Sequence, residues 1–354
     1  MAKVLMKGNE AVAEAAIKGG CRYFFGYPIT PQNELPEYMS KRLPEVDGVF
    51  VQAESEIAAI SMVYGAAGCG ARAMTSSSSP GIALKQEGIS YICGSMLPCV
   101  IVNMVRGGPG LGGIQPAQSD YFQATRGGGD GDYRVIVYAP ANLQEAVDIM
   151  QQAFDISEYY RVPVMMLGDG MIGQMMEPVE FKDVETNKVL PPKDWATTGT
   201  KEKRKPNIIN SLYLDPQILE NHNLHLNEIY EQIKKDEVRY ESVGVEDCDV
   251  VCVAYGTTSR IVKTAIEECE KQGMKVGLIR PITLWPFPDA AFDAINPDCK
   301  GILCVEMSLG QMIDDVKIAA NGRWKTFFYG RVGGMIPEPD AIKAEIEKII
   351  RGEN

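Results

Sequence analysis

The chain has 354 residues, 45% hydrophobic and 23% charged, which suits a globular protein long enough for two domains. Lys and Arg number 35 against 47 Asp and Glu, a formal net charge of −12 that argues against nucleic acid or an anionic membrane as partner. There is no apolar run of bilayer-spanning length, and the first residues lack the apolar core of a secretory signal, so a cytoplasmic protein is expected.

The first half alternates short apolar runs with helical patterns. Residues 10–18 place Val12, Ala15 and Ala16 on one helical face. A strand over 23–25 runs into Gly26-Tyr27-Pro28, and 33–42 reads as a second helix. A strand over 48–52 precedes an apolar helix of small residues over 56–68. Residues 71–76 form the next strand, followed by a serine-rich turn and a helix from Gly81. The unbroken apolar run 98–105 fits a strand buried on both faces of a parallel sheet. Strands over 135–138 and 163–167 flank a helix over 143–158. This alternation predicts a doubly wound, largely parallel α/β domain.

The stretch 178–244 is rich in Lys, Glu, Asn and Pro and reads as a long connection carrying surface helices, one of them a charged, solvent-facing helix over 226–242. A second α/β pattern follows: a strand from Asp249, a helix over 257–272 closed by Gly273, strands over 275–281 and 301–307, and a last helix over 340–351. The expected division is a larger α/β domain over 1–180, a connector over 181–245 and a smaller α/β domain over 246–354.

Two scarcities constrain the chemistry. The only histidines, His222 and His225, share one Asn-rich segment, so a base, triad or metal site in the domains must use other side chains. Their H-x-x-H spacing is a weak metal signal, and surface residues are the expectation. None of the nine cysteines has C-x-x-C spacing, and buried free thiols are expected rather than a cluster or zinc site.

Ligands of open parallel sheets bind beyond the carboxyl ends of strands. Four such segments stand out. In Tyr27-Pro28-Ile29-Thr30-Pro31 two prolines fix the backbone around the Thr30 hydroxyl, which either meets a ligand or caps the next helix. Glu56 heads a nearly uncharged helix, as an acid/base group or as a carboxylate complementing the helix dipole. Arg106 ends the buried run and opens Gly107-Gly108-Pro109-Gly110, where it can grip a carboxylate or phosphate, or simply be solvated. The turn from Thr75 to Gly81 can receive an anion on its backbone N–H groups, although a polar helix cap is the favoured reading. Gly168-Asp169-Gly170 looks like the start of a thiamine diphosphate motif, but that motif needs an asparagine some 25–30 residues later. Here Asn187 is too near and Asn207 too far, so the diphosphate and Mg²⁺ half of such a site is not encoded in this chain.

Taken together, YPITP at 27–31, ESEIAA at 54–59, LPCVIVNMVRGGPG at 97–110, QSD at 118–120 and RPITLWPFP at 280–288 resemble the 2-oxoacid:ferredoxin oxidoreductases over nearly the whole chain. The match is to the alpha-type subunit, with a pyrimidine-binding domain and a transketolase C-terminal-like domain. The resemblance implies that Glu56 hydrogen-bonds the aminopyrimidine ring of thiamine diphosphate, favouring the tautomer that creates the ylid nucleophile, with Tyr27 and Pro28 beside the cofactor. It implies that Thr30 and Arg106 contact the 2-oxoacid, Arg106 pairing its carboxylate. The chemistry implied is oxidative decarboxylation with CoA to an acyl-CoA, CO2 and reduced ferredoxin. Mg²⁺ and the diphosphate would be bound by a beta-type subunit, and iron–sulfur clusters by ferredoxin-like chains beside a gamma-type subunit. Family members acting on 2-oxoglutarate tend to carry Lys and Thr before QSD. Here no cation lies between Arg106 and Arg126, which favours 2-oxoisovalerate, ahead of 2-oxoglutarate and then pyruvate. A non-catalytic α/β scaffold is the alternative of another class.

Overall fold

The computed structural model describes residues 3–182 and 188–353. Asn187 lies outside the described residues. In chain order the first half runs β1 (Val4–Lys7), α1 (Gly8–Lys18), β2 (Tyr23–Gly26), α2 (Glu34–Arg42), β3 (Val49–Gln52), α3 (Glu56–Gly68), β4 (Ala73–Ser77), α4 (Ser79–Gly94), β5 (Val100–Val105), α5 (Tyr121–Arg126), β6 (Ile136–Tyr138), α6 (Leu143–Tyr160), β7 (Val164–Asp169), α7 (Gly170–Gln174) and β8 (Met176–Val179). The second half adds α8 (Pro216–Asp236), β9 (Tyr240–Val243), β10 (Val250–Val253), α9 (Gly256–Glu270), β11 (Val276–Pro281), β12 (Thr283–Trp285), β13 (Gly301–Glu306), α10 (Met312–Ala320), β14 (Thr326–Gly330) and α11 (Pro339–Arg351).

The larger sheet has the order β12-β6-β7-β5-β4-β2-β3, and all its pairings are parallel except β12 with β6. Every residue of β4, β5 and β7 is buried, because helices cover both faces. One face packs on α1, α2 and α6, and the other on α3 and α4, continuous with a core shared with the second half of the chain. The chain passes from β2 outward to β3 and returns to β4 on the other side of β2. That reversal opens a crevice at the carboxyl ends of β2 and β4. The α/β architecture expected from the sequence is therefore present.

The smaller sheet has the order β14-β13-β10-β11-β9, antiparallel only at β9. The expected helix over 226–242 is displaced. Helix α8 starts ten residues earlier because Asp215 accepts from the N–H groups of Gln217 and Ile218 and Pro216 takes the first turn. It stops at Asp236, and residues 240–243 instead extend the smaller sheet. Leu226, Tyr230 and Ile233 are buried against the first core, so the helix is amphipathic rather than wholly solvent-facing. The pair β1–β8 and strand β14 carry no clear sequence signal.

Three ties join the halves. Gln118 donates to the Tyr255 carbonyl at 3.0 Å, while its side-chain oxygen accepts from Thr258 Oγ1 at 2.8 Å and Met307 N at 3.0 Å. Arg280 forms two 2.9 Å bonds to Glu145 and one of 2.7 Å to Glu241. Strand β12, just beyond Arg280, closes the edge of the larger sheet. No helix among the described residues is long and apolar enough to cross a membrane. All nine cysteines are free; eight are buried and Cys69 is exposed. His222 Nε2 lies 2.7 Å from the Gly94 carbonyl oxygen, and His225 sits beside Glu228.

Gln118→Ala strands two donors and an acceptor in a buried seam. The expected loss is about 2 kcal/mol or more in urea unfolding followed by tryptophan fluorescence. An unchanged midpoint would show that the seam is held by other contacts.

Candidate functional site

Residues just beyond β2, β3, β4 and β5 converge on the crevice at the sheet reversal. Glu56 is the first residue of α3 and only 7% exposed. It does not cap the helix. Ser55 does, accepting from Ala58 N at 3.2 Å. The carboxylate accepts no hydrogen bond from the described side chains. It lies instead over Gly81 in α4, where a Cβ would stand 2.9 Å from its Oε1 and also collide with Ser77 Oγ. Glycine at position 81 is thus required by close approach of the carboxylate. Gly88, further along α4, similarly lets Ile60 of α3 close in. The niche wall is hydroxyl-rich: Thr75, Ser77 and Ser78 are fully buried, and their hydroxyls have no hydrogen-bond partner among the described residues. Gln32 Nε2 is likewise unpartnered. Orphaned buried polar atoms are rare enough to mark a place where a polar ligand fits.

The favoured cap reading of the serine turn is corrected. Ser78 makes no capping bond, and the first N–H of α4, at Ser79, donates to Asn103 Oδ1 at 3.1 Å. Asn103 in turn donates to Asp120 at 2.9 Å. Burial holds the Asp120 carboxyl above the usual carboxylate range.

Arg106 is not a solvated loop residue; it is 9% exposed. Its Nη1 donates to the Thr30 carbonyl at 2.9 Å and its Nη2 to the Leu111 carbonyl at 3.1 Å, while Nε is buried without a partner. Ser79 Oγ bonds the backbone of Arg106, so Arg106 is anchored two residues from Gly81. Thr30 does not cap α2, whose capping position is Asn33; its hydroxyl lies 3.4 Å from Asn33 Nδ2. Thr30, Arg106 and Glu56 are therefore linked through α4, while Tyr27 and Pro28 occupy the exposed rim beyond β2.

Beside Thr30 opens a cleft of about 650 Å³, lined by Ile114, Pro116, Met171, Met175 and Ile336 with Asn33, Glu34, Gln115 and Gln174 among its polar residues. Its lining holds no cation among the described residues. Lys7, Asn9 and Gln174 engage Glu34, and these contacts hold its carboxyl below the usual range against the opposing effect of burial. Ile336 comes from the smaller half of the chain, whose Gly333-Gly334 turn packs on Gly107 and Gln115.

Asp169 of the rejected GDG string caps α7 through Met171 N and Ile172 N and accepts from Thr257 Oγ1. It is a tie between the halves. Sequence reasoning passed over Lys85 and Asn103. Lys85 reads as an ordinary exposed helix residue, yet it is fully buried beside the Glu56 niche.

The chain matches the family model described as pyruvate flavodoxin/ferredoxin oxidoreductase, thiamine diphosphate-binding, over residues 14–242. Residues 248–342 match core domain II of pyruvate:ferredoxin oxidoreductase. It is 46% identical to the ketoisovalerate oxidoreductase subunit VorB of Methanothermobacter marburgensis, covering 100% of both chains. It is 36% identical to the 2-oxoglutarate synthase subunit KorA of Methanothermobacter thermautotrophicus, covering 98% of both. Among solved structures it superposes on 2-oxoglutarate:ferredoxin oxidoreductase of Magnetococcus marinus with a TM-score of 0.86 at 28% identity. That match covers 98% of this chain but only 65% of the solved one. A split-gene transketolase shares the fold alone, with a TM-score of 0.60 at 14% identity over 98% of each chain.

Gly81→Ala displaces the Glu56 carboxylate without touching the hydrophobic core. Thiamine diphosphate affinity of the assembled enzyme is expected to fall at least about tenfold by calorimetry, with the fold retained by circular dichroism. Unaltered affinity would mean that Glu56 has room to move.

Proposed function

The chain belongs to the 2-oxoacid:ferredoxin oxidoreductases, and we propose that it presents the pyrimidine-facing half of the thiamine diphosphate site and the 2-oxoacid pocket of a 2-oxoisovalerate enzyme. The products are the corresponding acyl-CoA, CO2 and reduced ferredoxin. The observation that carries the substrate assignment is the cleft beside Thr30 and Arg106, apolar at Ile114, Met171, Met175 and Ile336 and without a cation in its lining. A branched aliphatic tail fits such a wall. A second carboxylate would be desolvated there beside Glu34, and the nearby cation, Lys7, is already paired with Glu34. The ketoisovalerate oxidoreductase relative, at 46% identity, supports the same choice over the 2-oxoglutarate relative at 36%.

Thiamine diphosphate supplies the electron sink for decarboxylation when bound. The unpartnered hydroxyls of Thr75, Ser77 and Ser78, the glycine floor at Gly81 and the unbonded Glu56 carboxylate fit the polar edge of its ring. With the cofactor bound, Glu56 would hold the proton at the ring nitrogen, and Tyr27 and Pro28 would line the rim beside it. The buried Arg106 Nε–H has no other partner and is available to the substrate carboxylate; the two Nη groups are fixed on backbone carbonyls, so the guanidinium is oriented before substrate arrives. Thr30 donates its hydroxyl from the same side. In this reading residues 1–180 carry the site, 246–354 brace it through Thr257, Thr258 and Ile336, and 181–245 connect the two. A beta-type partner holds the diphosphate and Mg²⁺; gamma-type and ferredoxin-like partners carry the iron–sulfur clusters that pass electrons to ferredoxin.

Glu56→Gln in the assembled complex is expected to abolish 2-oxoacid-dependent reduction of ferredoxin while leaving assembly intact; near-normal turnover removes Glu56 from this role. For substrate choice, kcat/KM for 2-oxoisovalerate should exceed that for 2-oxoglutarate by at least about 100-fold. Preference for the diacid would overturn the branched-chain assignment. Arg106→Ala should raise KM, whereas a purely scaffolding chain would leave KM unchanged.

A further inference from the structure

We propose that Lys85 is a positioning residue, a buried cation behind Glu56 that sets where the proton shared between Glu56 and the cofactor ring resides. The inference rests on the assignment of Glu56 to that ring. Lys85 is 0% exposed. Side chains on a helix lean toward its N-terminus, so Lys85 reaches back over Gly81, one turn earlier on the same face of α4. Gly81 is where the Glu56 carboxylate and Ser77 hydroxyl crowd against the helix. The ammonium has a single long hydrogen bond, 3.5 Å to the Ser76 carbonyl, and no ion pair within 4.0 Å among the described residues.

Burying a lysine is costly unless its charge is used. The neighbouring elements leave Glu56 as the charge that uses it. Helix α3 presents Glu56; β4 presents only the hydroxyls and carbonyls of Thr75, Ser76 and Ser77; Gln32 accepts from Ser76 Oγ at 2.5 Å. Arg106 and Asp120 engage Ser79 at the start of α4. Burial pushes the Lys85 amine down to about 8, with the Glu56 charge opposing the shift. Below that pH Lys85 is charged, and a cation beside Glu56 biases the shared proton toward the ring. Above it Lys85 is neutral and that bias is lost.

The test uses the assembled enzyme with thiamine diphosphate ¹⁵N-labelled in the pyrimidine ring and no 2-oxoacid, with ring protonation read by NMR across pH. In the wild type the protonated fraction should fall with an inflection near pH 8. Lys85→Met and Lys85→Gln should both lose that inflection and show a protonated-to-neutral ratio at least about tenfold lower at neutral pH. Gln keeps a donor for the Ser76 carbonyl, so agreement between the variants separates charge from hydrogen bonding. A wild-type profile in either variant, or no inflection in the wild type, overturns the proposal. Failure of the wild-type complex to bind the cofactor would instead strike the assignment of the site itself.

Discussion

A carboxylate buried at the mouth of a helix has to be matched by everything around it, and Glu56 imposes that constraint here. Its helix is built from small residues so that α4 can approach, and α4 carries glycine where the carboxylate rests. The strand beneath ends in hydroxyls rather than aliphatic groups, although each is fully buried. A lysine of α4 with no ion pair among the described residues is buried one turn beyond that glycine. None of these choices improves an apolar core. Each of them costs stability unless a polar ligand or a charge is accommodated, which is how sites differ from packing.

The second requirement is rigidity across the seam. Gln118 satisfies three groups of the smaller half at once, Asp169 joins α7 to Thr257, and Arg280 spans Glu145 and Glu241. These residues belong to the QSD, GDG and RPITLWPFP strings, and in this chain the strings do structural service. They fix the smaller half so that its Gly333-Gly334 turn and Ile336 complete the cleft next to Arg106. The proposed site on one sheet is thereby braced by hydrogen bonds from the other half.

The sequence made the parallel architecture legible because runs such as 98–105 are apolar without alternation, and it singled out Thr30, Glu56 and Arg106 because each lies at or within a few residues of the end of a strand-like run. What stayed hidden depends on contacts far apart in the chain. Strand β12 is three residues long and pairs with β6 more than a hundred positions away, which no local period announces. Lys85 sits in a stretch that also contains Gln86 and Glu87, where a lysine reads as solvent-facing; only the packing of α3 reveals it as buried. The start of helix α8 at Asp215-Pro216 is a weaker local signal than the charged pattern that follows it. The serine turn looked like a cap, yet Asn103, hidden within an apolar strand, supplies the bond.

The proposed role of Glu56 is to act on the bound cofactor rather than merely to close a helix. Exchange of the thiazolium C2 proton with deuterium, measured in the assembled enzyme without any 2-oxoacid, isolates that action from substrate binding and electron transfer. Exchange should be slowed by at least about 100-fold in Glu56→Gln relative to wild type. Equal exchange in the two enzymes would contradict the central role given to Glu56 and the niche built around it.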